Sequence, residues 1–482
     1  MLDVLQTVVT SISGFFWGPP LFIAVLGTGI YYTIAFKGAY QLKIGHHLKN
    51  TFGTMFTPPD EEGEGTISGF AAAAVSISSV IGVGNIAGPA TALTMGGPGA
   101  VFWMWITAIV GMSTKAAEVL LGQRYRVYFE GIDEYLCGRN YVIRNGLGWL
   151  RLAQLLAWVV VFTPWSMLVQ TNAVATSIAE AFNIPVNVGI WFIFITLAVT
   201  IIGGVRRIAA VADKVVPAMA IFYIGAGIIL VAMNLGEVPR MFSTIVSHAF
   251  TPYAGAGAVA GASVAEAMRF GVARGVYSNE AGMGTAMGVH SAAIVDHPVR
   301  QASWGFSECL IDTLLVCSIT VFAIMATGAN FANPEVTGAA LVTVAWQLAY
   351  GYIGGVIVAV ATAFFSWTTL LTAYYNAEKG VNFLLGDSKL NRTVMWIYMA
   401  YYLGPQFFAG ADTGLLWMIT DTILIISVAS SIAALLLLRK PVVEMHYDFW
   451  DRYLPALEAG ENPPRVSYRF DPASGEEVRM EE

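Results

Sequence analysis

Ser76-Ile-Ser-Ser-Val-Ile-Gly-Val-Gly-Asn-Ile-Ala-Gly88 lies inside an apolar run that extends from about residue 67 to 93. A run of that length reads as a membrane-crossing helix, for which roughly 20 apolar residues suffice. Gly82, Gly84, Asn85 and Gly88 interrupt it at its middle. Where a helix unwinds in hydrocarbon, its freed N–H and C=O groups must find polar partners. Gly271-Val-Ala-Arg-Gly-Val-Tyr-Ser-Asn-Glu-Ala-Gly-Met-Gly284 breaks a second apolar run in the same way. Both stretches carry Asn-x-x-Gly, at Asn85 to Gly88 and at Asn279 to Gly282.

The whole chain suits such segments. Of its 482 residues, 56% are apolar or aromatic and 12% charged, and the mean hydropathy is +0.64. A water-soluble domain carries about 25% charged residues, so a cytosolic enzyme is excluded as the default reading. The 49 glycines sit largely within apolar stretches, where membrane helices tolerate them. Cys137, Cys309 and Cys317 form neither a metal-ligand spacing nor an even disulfide set. Asp3 precedes the first apolar run and no basic region does, so that run is expected to stay in the protein.

Eleven apolar windows emerge, near residues 15–36, 67–93, 99–123, 149–180, 188–204, 215–235, 256–292, 303–327, 351–376, 392–411 and 414–438. With the N-terminus outside, 21 of the 25 lysines and arginines fall on the inner side, and only Arg240 falls outside. Cytoplasmic loops retain basic residues, and one missed span would invert every loop after it. The expectation is therefore an all-α polytopic protein of the cell (inner) membrane, with eleven spans, an outer N-terminus and an inner C-terminus. Residues 441–482 hold ten acidic and four basic side chains and read as a solvated cytoplasmic tail.

The two interrupted spans are five apart in order, which places them in opposite orientations and is the pattern of an inverted five-helix repeat. In secondary transporters, half-helix N-termini at such breaks face an anionic group, while freed carbonyls coordinate a cation. A zwitterionic amino acid with a sodium ion meets both demands.

Gly82-Val-Gly-Asn-Ile-Ala-Gly88, Gly96-Gly-Pro-Gly-Ala-Val-Phe-Trp-Met-Trp105, Lys115, Glu118, Arg274-Gly-Val-Tyr-Ser-Asn-Glu-Ala-Gly-Met-Gly284, His297-Pro298 and Asp312-Thr313 together resemble the alanine or glycine:cation symporter family. The resemblance runs from about residue 65 to 380. It implies a LeuT-like five-plus-five inverted repeat with one extra N-terminal helix, and sodium-coupled symport of small neutral amino acids rather than catalysis. The corresponding divisions are 1–66 for the extra helix and linker, 67–235 and 236–438 for the repeats, and 439–482 for the tail. By the same resemblance Gly82, Val83, Gly84, Asn85, Gln170, Tyr277, Asn279 and Trp367 are expected around the substrate. Ser76, Ser79, Thr368 and Thr369 are expected around sodium, with Ser78 nearby. Sodium is the coupling ion, no other cofactor is implied, and the chain is expected to function as a monomer. The chain departs from the family's usual pattern at Val80-Ile81, where Thr-Val is common, and at Thr372-Ala373, where Gly-Trp is common. The second departure opens the possibility of a substrate larger than alanine, such as glutamine, and a proton-coupled carrier is the other alternative.

Ionisable residues within spans mark functional or paired sites. Lys115 with Glu118, and Glu266 with Arg269, have the spacing of same-face helical pairs. Arg274 and Glu280 flank the second break as bracing or gating groups. Glu308, Asp312 and Asp421 have no local partner, and Arg269 or Arg274 are candidates. The six histidines assemble no catalytic or metal motif, and no phosphate-cradling loop is present, so energy is expected from an ion gradient.

Overall fold

The computed structural model describes residues 14–55, 63–252, 263–332, 336–386, 389–411 and 413–478. Asp3, the opening residues 256–262 of the seventh window and the last four residues of the tail lie outside these. The protein is mostly helical. In chain order the principal helices are α1 (Pro19–Ala35), α2 (Gly69–Val80), α3 (Val83–Gly96), α4 (Gly99–Arg124), α5 (Leu150–Val161), α6 (Leu168–Phe182), α7 (Val186–Ile201) and α8 (Gly204–Met233). They continue with α9 (Val264–Asn279), α10 (Thr285–Val289), α11 (Pro298–Cys309), α12 (Ser318–Thr327), α13 (Gly338–Tyr350), α14 (Tyr352–Leu385), α15 (Lys389–Leu403), α16 (Thr413–Leu437) and α17 (Arg439–Asp448).

Among the described residues, six helical stretches are long and apolar enough to cross a bilayer: Gly69–Gly96, Gly99–Arg124, Arg206–Met233, Pro298–Thr327, Tyr352–Leu385 and Leu415–Leu437. Leu150–Val161 and Thr163–Ala179, bent by 48° at their junction, pass together as a seventh, and α1, α7 and α13 are shorter apolar helices. The chain is thus a multi-pass membrane protein. Helix α13 falls between two of the sequence windows. Its 13 residues are too few to register in a scan for spans of about 20, and it packs against α3, α12 and α14.

Two short strands show how the interrupted segments run. β1 (Ile67–Ser68) leads into α2, and β4 (Ala293–Ile294) follows α10; they pair in parallel, Ile67 opposite Ala293 and Ser68 opposite Ile294. At the other end, α3 packs against α9. The start of each interrupted segment therefore lies beside the end of the other, and the two run antiparallel. Helix α4 packs along both α9 and α11, while α14 lies against α2 and α6. A hairpin of β2 (Val127–Phe129) and β3 (Glu134–Leu136) sits near the β1–β4 end, where Arg126 donates to the carbonyls of Ser291 and Ala293, both at 3.2 Å.

The tail is packed rather than solvated. His297 meets Asp448 at 3.2 Å, Tyr453 donates to Asp296 at 3.0 Å, and Arg126 donates to Ser467 Oγ at 2.7 Å. The physical reason is its aromatic content: Phe449, Tyr453 and Phe470 are buried among residues of α1, α4 and the hairpin. Charge counting gave those side chains no weight.

Candidate functional site

The first break begins where α2 runs out of partners. Ile81 still donates to the Ile77 carbonyl at 2.9 Å, but the next two amides turn away. Gly82 donates to Asn85 Oδ1 at 2.9 Å, and Val83 donates to Gln170 Oε1 at 3.0 Å. In an unbroken helix those amides would bond the carbonyls of Ser78 and Ser79, so both carbonyls are released. Thr369 Oγ1 on α14, 2.9 Å from the Phe365 carbonyl of its own helix, also faces them, lying 3.0 Å from the Ser78 oxygen, 3.3 Å from that of Ser79 and 3.4 Å from that of Ile81. A Cβ at residue 82 would lie 2.6 Å from Thr369 Oγ1, which is why this position is glycine. Three carbonyls and a hydroxyl converge at one point, and the side chains that meet the freed amides and carbonyls directly, Asn85, Gln170 and Thr369, are neutral.

The second break, between α9 and α10, is held by charge. Lys115 Nζ on α4 donates to the Asn279 carbonyl at 3.0 Å, where α9 ends. One turn along the same helix, Glu118 Oε1 accepts from the Gly284 amide at 2.7 Å, where α10 begins. The ammonium thus sits at the negative end of one half-helix dipole and the carboxylate at the positive end of the other, the favourable sense in both cases. Asn279 Oδ1 accepts from the Ala281 amide at 3.0 Å, and Glu280 accepts from Thr285 Oγ1 at 2.6 Å. Gly284 has φ +79°, and a Cβ there would lie 2.4 Å from Arg139 Cδ.

Lys115 and Glu118 do not pair with each other. Lys115 instead lies 3.3 Å from Glu308, which His290 also meets at 2.7 Å, and all three side chains are fully buried. Gln301 Nε2 donates to the Gly69 carbonyl at 3.1 Å and lies 2.8 Å from His290 Nδ1. That amide orientation makes Nδ1 the acceptor and leaves Nε2–H to donate to Glu308. Glu266 accepts from the amide of Ser263 at 2.7 Å and caps α9, rather than pairing with Arg269. Arg274 stands over the Trp417 ring at 4.8 Å and 4.0 Å from Asp421.

Asp312, which lacked a partner in the sequence, joins the two breaks. It occupies a π-helical stretch, Leu310–Cys317, between α11 and α12. Its Oδ1 accepts from Asn85 Nδ2, and its Oδ2 accepts from Ser278 Oγ at 2.5 Å and Thr313 Oγ1 at 2.7 Å. The signal for it in the sequence was a carboxylate within a span.

Of the expected substrate residues, the structure brings together Gly82, Val83, Gly84, Asn85, Gln170 and Tyr277. The Tyr277 ring is 3.1 Å from where a Cβ at Gly84 would stand. Asn279 is turned to its own segment. Trp367 lies apart, in an apolar groove with Ile178, Phe182 and Phe192. Of the expected sodium residues, Thr369 alone faces the released carbonyls. Thr368 Oγ1 bonds back to the Phe364 carbonyl at 3.0 Å, Ser79 Oγ donates to Glu280 at 3.0 Å, and Ser76 is buried on α2 before the break. A cavity of about 100 Å³ adjoins the first break, with Ser79, Glu280, Thr285, Thr369, Ala373 and Lys379 in its wall.

Several membrane-crossing helices surround a break whose freed backbone groups are met by neutral side chains, an arrangement in keeping with a membrane transporter. The sodium:alanine symporter family matches residues 2–463, and the chain belongs to that family. It is 40% identical over 452 residues to the uncharacterized transporter YflA of Bacillus subtilis, covering 92% of this chain and 93% of that one. It is 36% identical over 446 residues to the sodium/alanine symporter AgcS of Methanococcus maripaludis, covering 91% and 95%. To the probable sodium/glutamine symporter GlnT of Bacillus subtilis it is 30% identical over 467 residues, covering 96% and 94%.

Proposed function

We propose that the protein carries a small neutral amino acid, of the alanine or glycine class, into the cell together with sodium, as a monomer working by alternating access in the cytoplasmic membrane. The observation that carries this reading is the first break, where released carbonyls and amides are held only by Thr369, Asn85 and Gln170. A substrate carboxylate displaces the neutral Gln170 oxygen at the Val83 amide with a gain, because charge-assisted hydrogen bonds are about twice as strong as neutral ones. Sodium takes the carbonyls of Ser78, Ser79 and Ile81 with the Thr369 hydroxyl, an all-oxygen set suited to a hard cation. Gly84, Asn85 and Tyr277 complete the substrate's surroundings.

The antiparallel breaks support a LeuT-like inverted repeat of residues 67–235 and 236–438, preceded by α1, in eleven spans with the N-terminus outside. In that orientation the cavity, whose wall includes Arg139, opens on the cytoplasmic side. A second reading is a larger neutral amino acid such as glutamine. Ala373 lines the cavity, where a large aromatic would narrow it, and GlnT is among the relatives. Uptake of labelled alanine into proteoliposomes under an inward sodium gradient tests both readings. Sodium-dependent uptake competed by alanine and glycine supports the first, competition by glutamine alone supports the second, and uptake that follows only a pH gradient overturns the choice of ion.

A further inference from the structure

Glu280 stands where the two breaks and the cavity meet. Ser79 Oγ lies 3.0 Å from both of its carboxylate oxygens, and Thr285 Oγ1 donates to it at 2.6 Å. Ser79 is shared: its hydroxyl is on Glu280 while its carbonyl faces Thr369 Oγ1. Ser79, Glu280 and Thr369 all line the same cavity.

Two features of Glu280 are unexplained by folding alone. Its backbone is left-handed, with φ 55°, at the end of α9, where glycine or asparagine ordinarily serves and another side chain is strained. It is also a buried carboxylate that, among the described residues, has no ion pair within 4.0 Å, whereas Glu308 has both Lys115 and His290. A buried carboxylate is costly unless compensated by a cation.

We propose, building on the sodium symport reading above, that Glu280 is the release-side ligand of the coupling ion. Sodium leaves the carbonyls of Ser78, Ser79 and Ile81 and the Thr369 hydroxyl for the Glu280 carboxylate, and passes from there into the cavity. Glu280 then closes on Ser79 and Thr285, so that the same carboxylate joins the two breaks once the ion has gone. This gives net transport, which requires release of the ion and return of the empty carrier, a requirement that exchange lacks.

The test compares two modes in proteoliposomes: net alanine uptake driven by sodium, and alanine–alanine exchange with high sodium on both sides. Glu280→Gln keeps an acceptor for both hydroxyls and loses the charge. It is expected to lower net uptake by about tenfold or more while leaving exchange within about twofold. Glu280→Asp is expected to retain net uptake within about threefold. Thr285→Ala, which frees the carboxylate from one hydroxyl, is expected to show the same split at about threefold, and it decides the matter if Glu280→Gln does not fold. Unchanged net uptake in Glu280→Gln, or equal loss of both modes with Glu280→Asp no better, overturns the assignment. A wild-type protein without sodium-dependent uptake in either mode overturns the symport reading itself, a separate result.

Discussion

The two breaks look alike in sequence and are held in opposite ways. At the first, Gly82 and Val83 give their amides to the neutral Asn85 and Gln170, and the carbonyls of Ser78, Ser79 and Ile81 share one hydroxyl, Thr369. At the second, the Asn279 carbonyl holds the Lys115 ammonium and the Gly284 amide holds the Glu118 carboxylate. A ligand can displace a neutral partner and gain a charge-assisted bond. It cannot displace the second break's partners without stripping a buried charge of a hydrogen bond, at a cost of about 1–3 kcal/mol or more. The difference teaches that unwinding a helix in the membrane marks a site for a ligand only where the chain has not already supplied the charges. On the transport reading proposed above, the first break takes the ligands, and the backbone of the second is the support from which Glu280 reaches toward the first.

Asn85→Ala is the largest expected break in this comparison, because it removes both the cap on Gly82 and the contact to Asp312. Uptake should fall by about a hundredfold or more with the protein still folded, as read by size-exclusion profile, whereas Asn279→Ala should hold uptake within about threefold. Wild-type transport in Asn85→Ala would remove the first break from the site. Lys115→Met strikes the other support. It leaves Glu308 buried with only His290, so stability in detergent should fall by about 3–5 kcal/mol, and a Lys115→Met, Glu308→Gln double variant should recover part of that loss in a thermal unfolding series. Transport by the folded remainder should keep the wild-type sodium dependence.

Thr369→Val sharpens the ion side: the sodium concentration for half-maximal uptake should rise about tenfold, with the melting temperature little changed. Thr368→Val, whose hydroxyl bonds back along α14 and touches Met219 Sδ rather than the break, should shift that concentration less than about twofold. Trp367→Phe is the smallest, with an alanine KM within about twofold of wild type. A large KM shift there would return Trp367 to the substrate's surroundings.

The first break was legible because glycines and an asparagine inside an apolar run admit few other readings. The antiparallel course of the two segments was legible too, from their odd spacing and the placement of basic loops. Their partners were not. Thr369 and Gln170 reach the first break from helices far away in the chain and were expected there only through the family resemblance, while nothing in the sequence aimed Asp312 at Asn85. Lys115 and Glu118 misled for a physical reason: three residues apart, they share a face of α4 and suggest a mutual pair. A same-helix pair yields only about 0.2–0.5 kcal/mol, less than each gains at a half-helix end. Trp367 stands two positions before Thr369, about 200° away around the helix, so a helix that offers one to the break turns the other from it. The tail's packing was carried by aromatics set between charges, which a charge balance does not register.

The central claim, that the first break binds and the second supports, is tested most directly by amide hydrogen exchange on the reconstituted protein, with and without sodium and alanine. The amides of residues 82–85 are expected to gain protection when both ligands are present, while those of Ala281, Met283 and Gly284, already held by Asn279, Glu280 and Glu118, keep the same protection throughout. Equal ligand-dependent protection at the two breaks, or a change at the second alone, would contradict it.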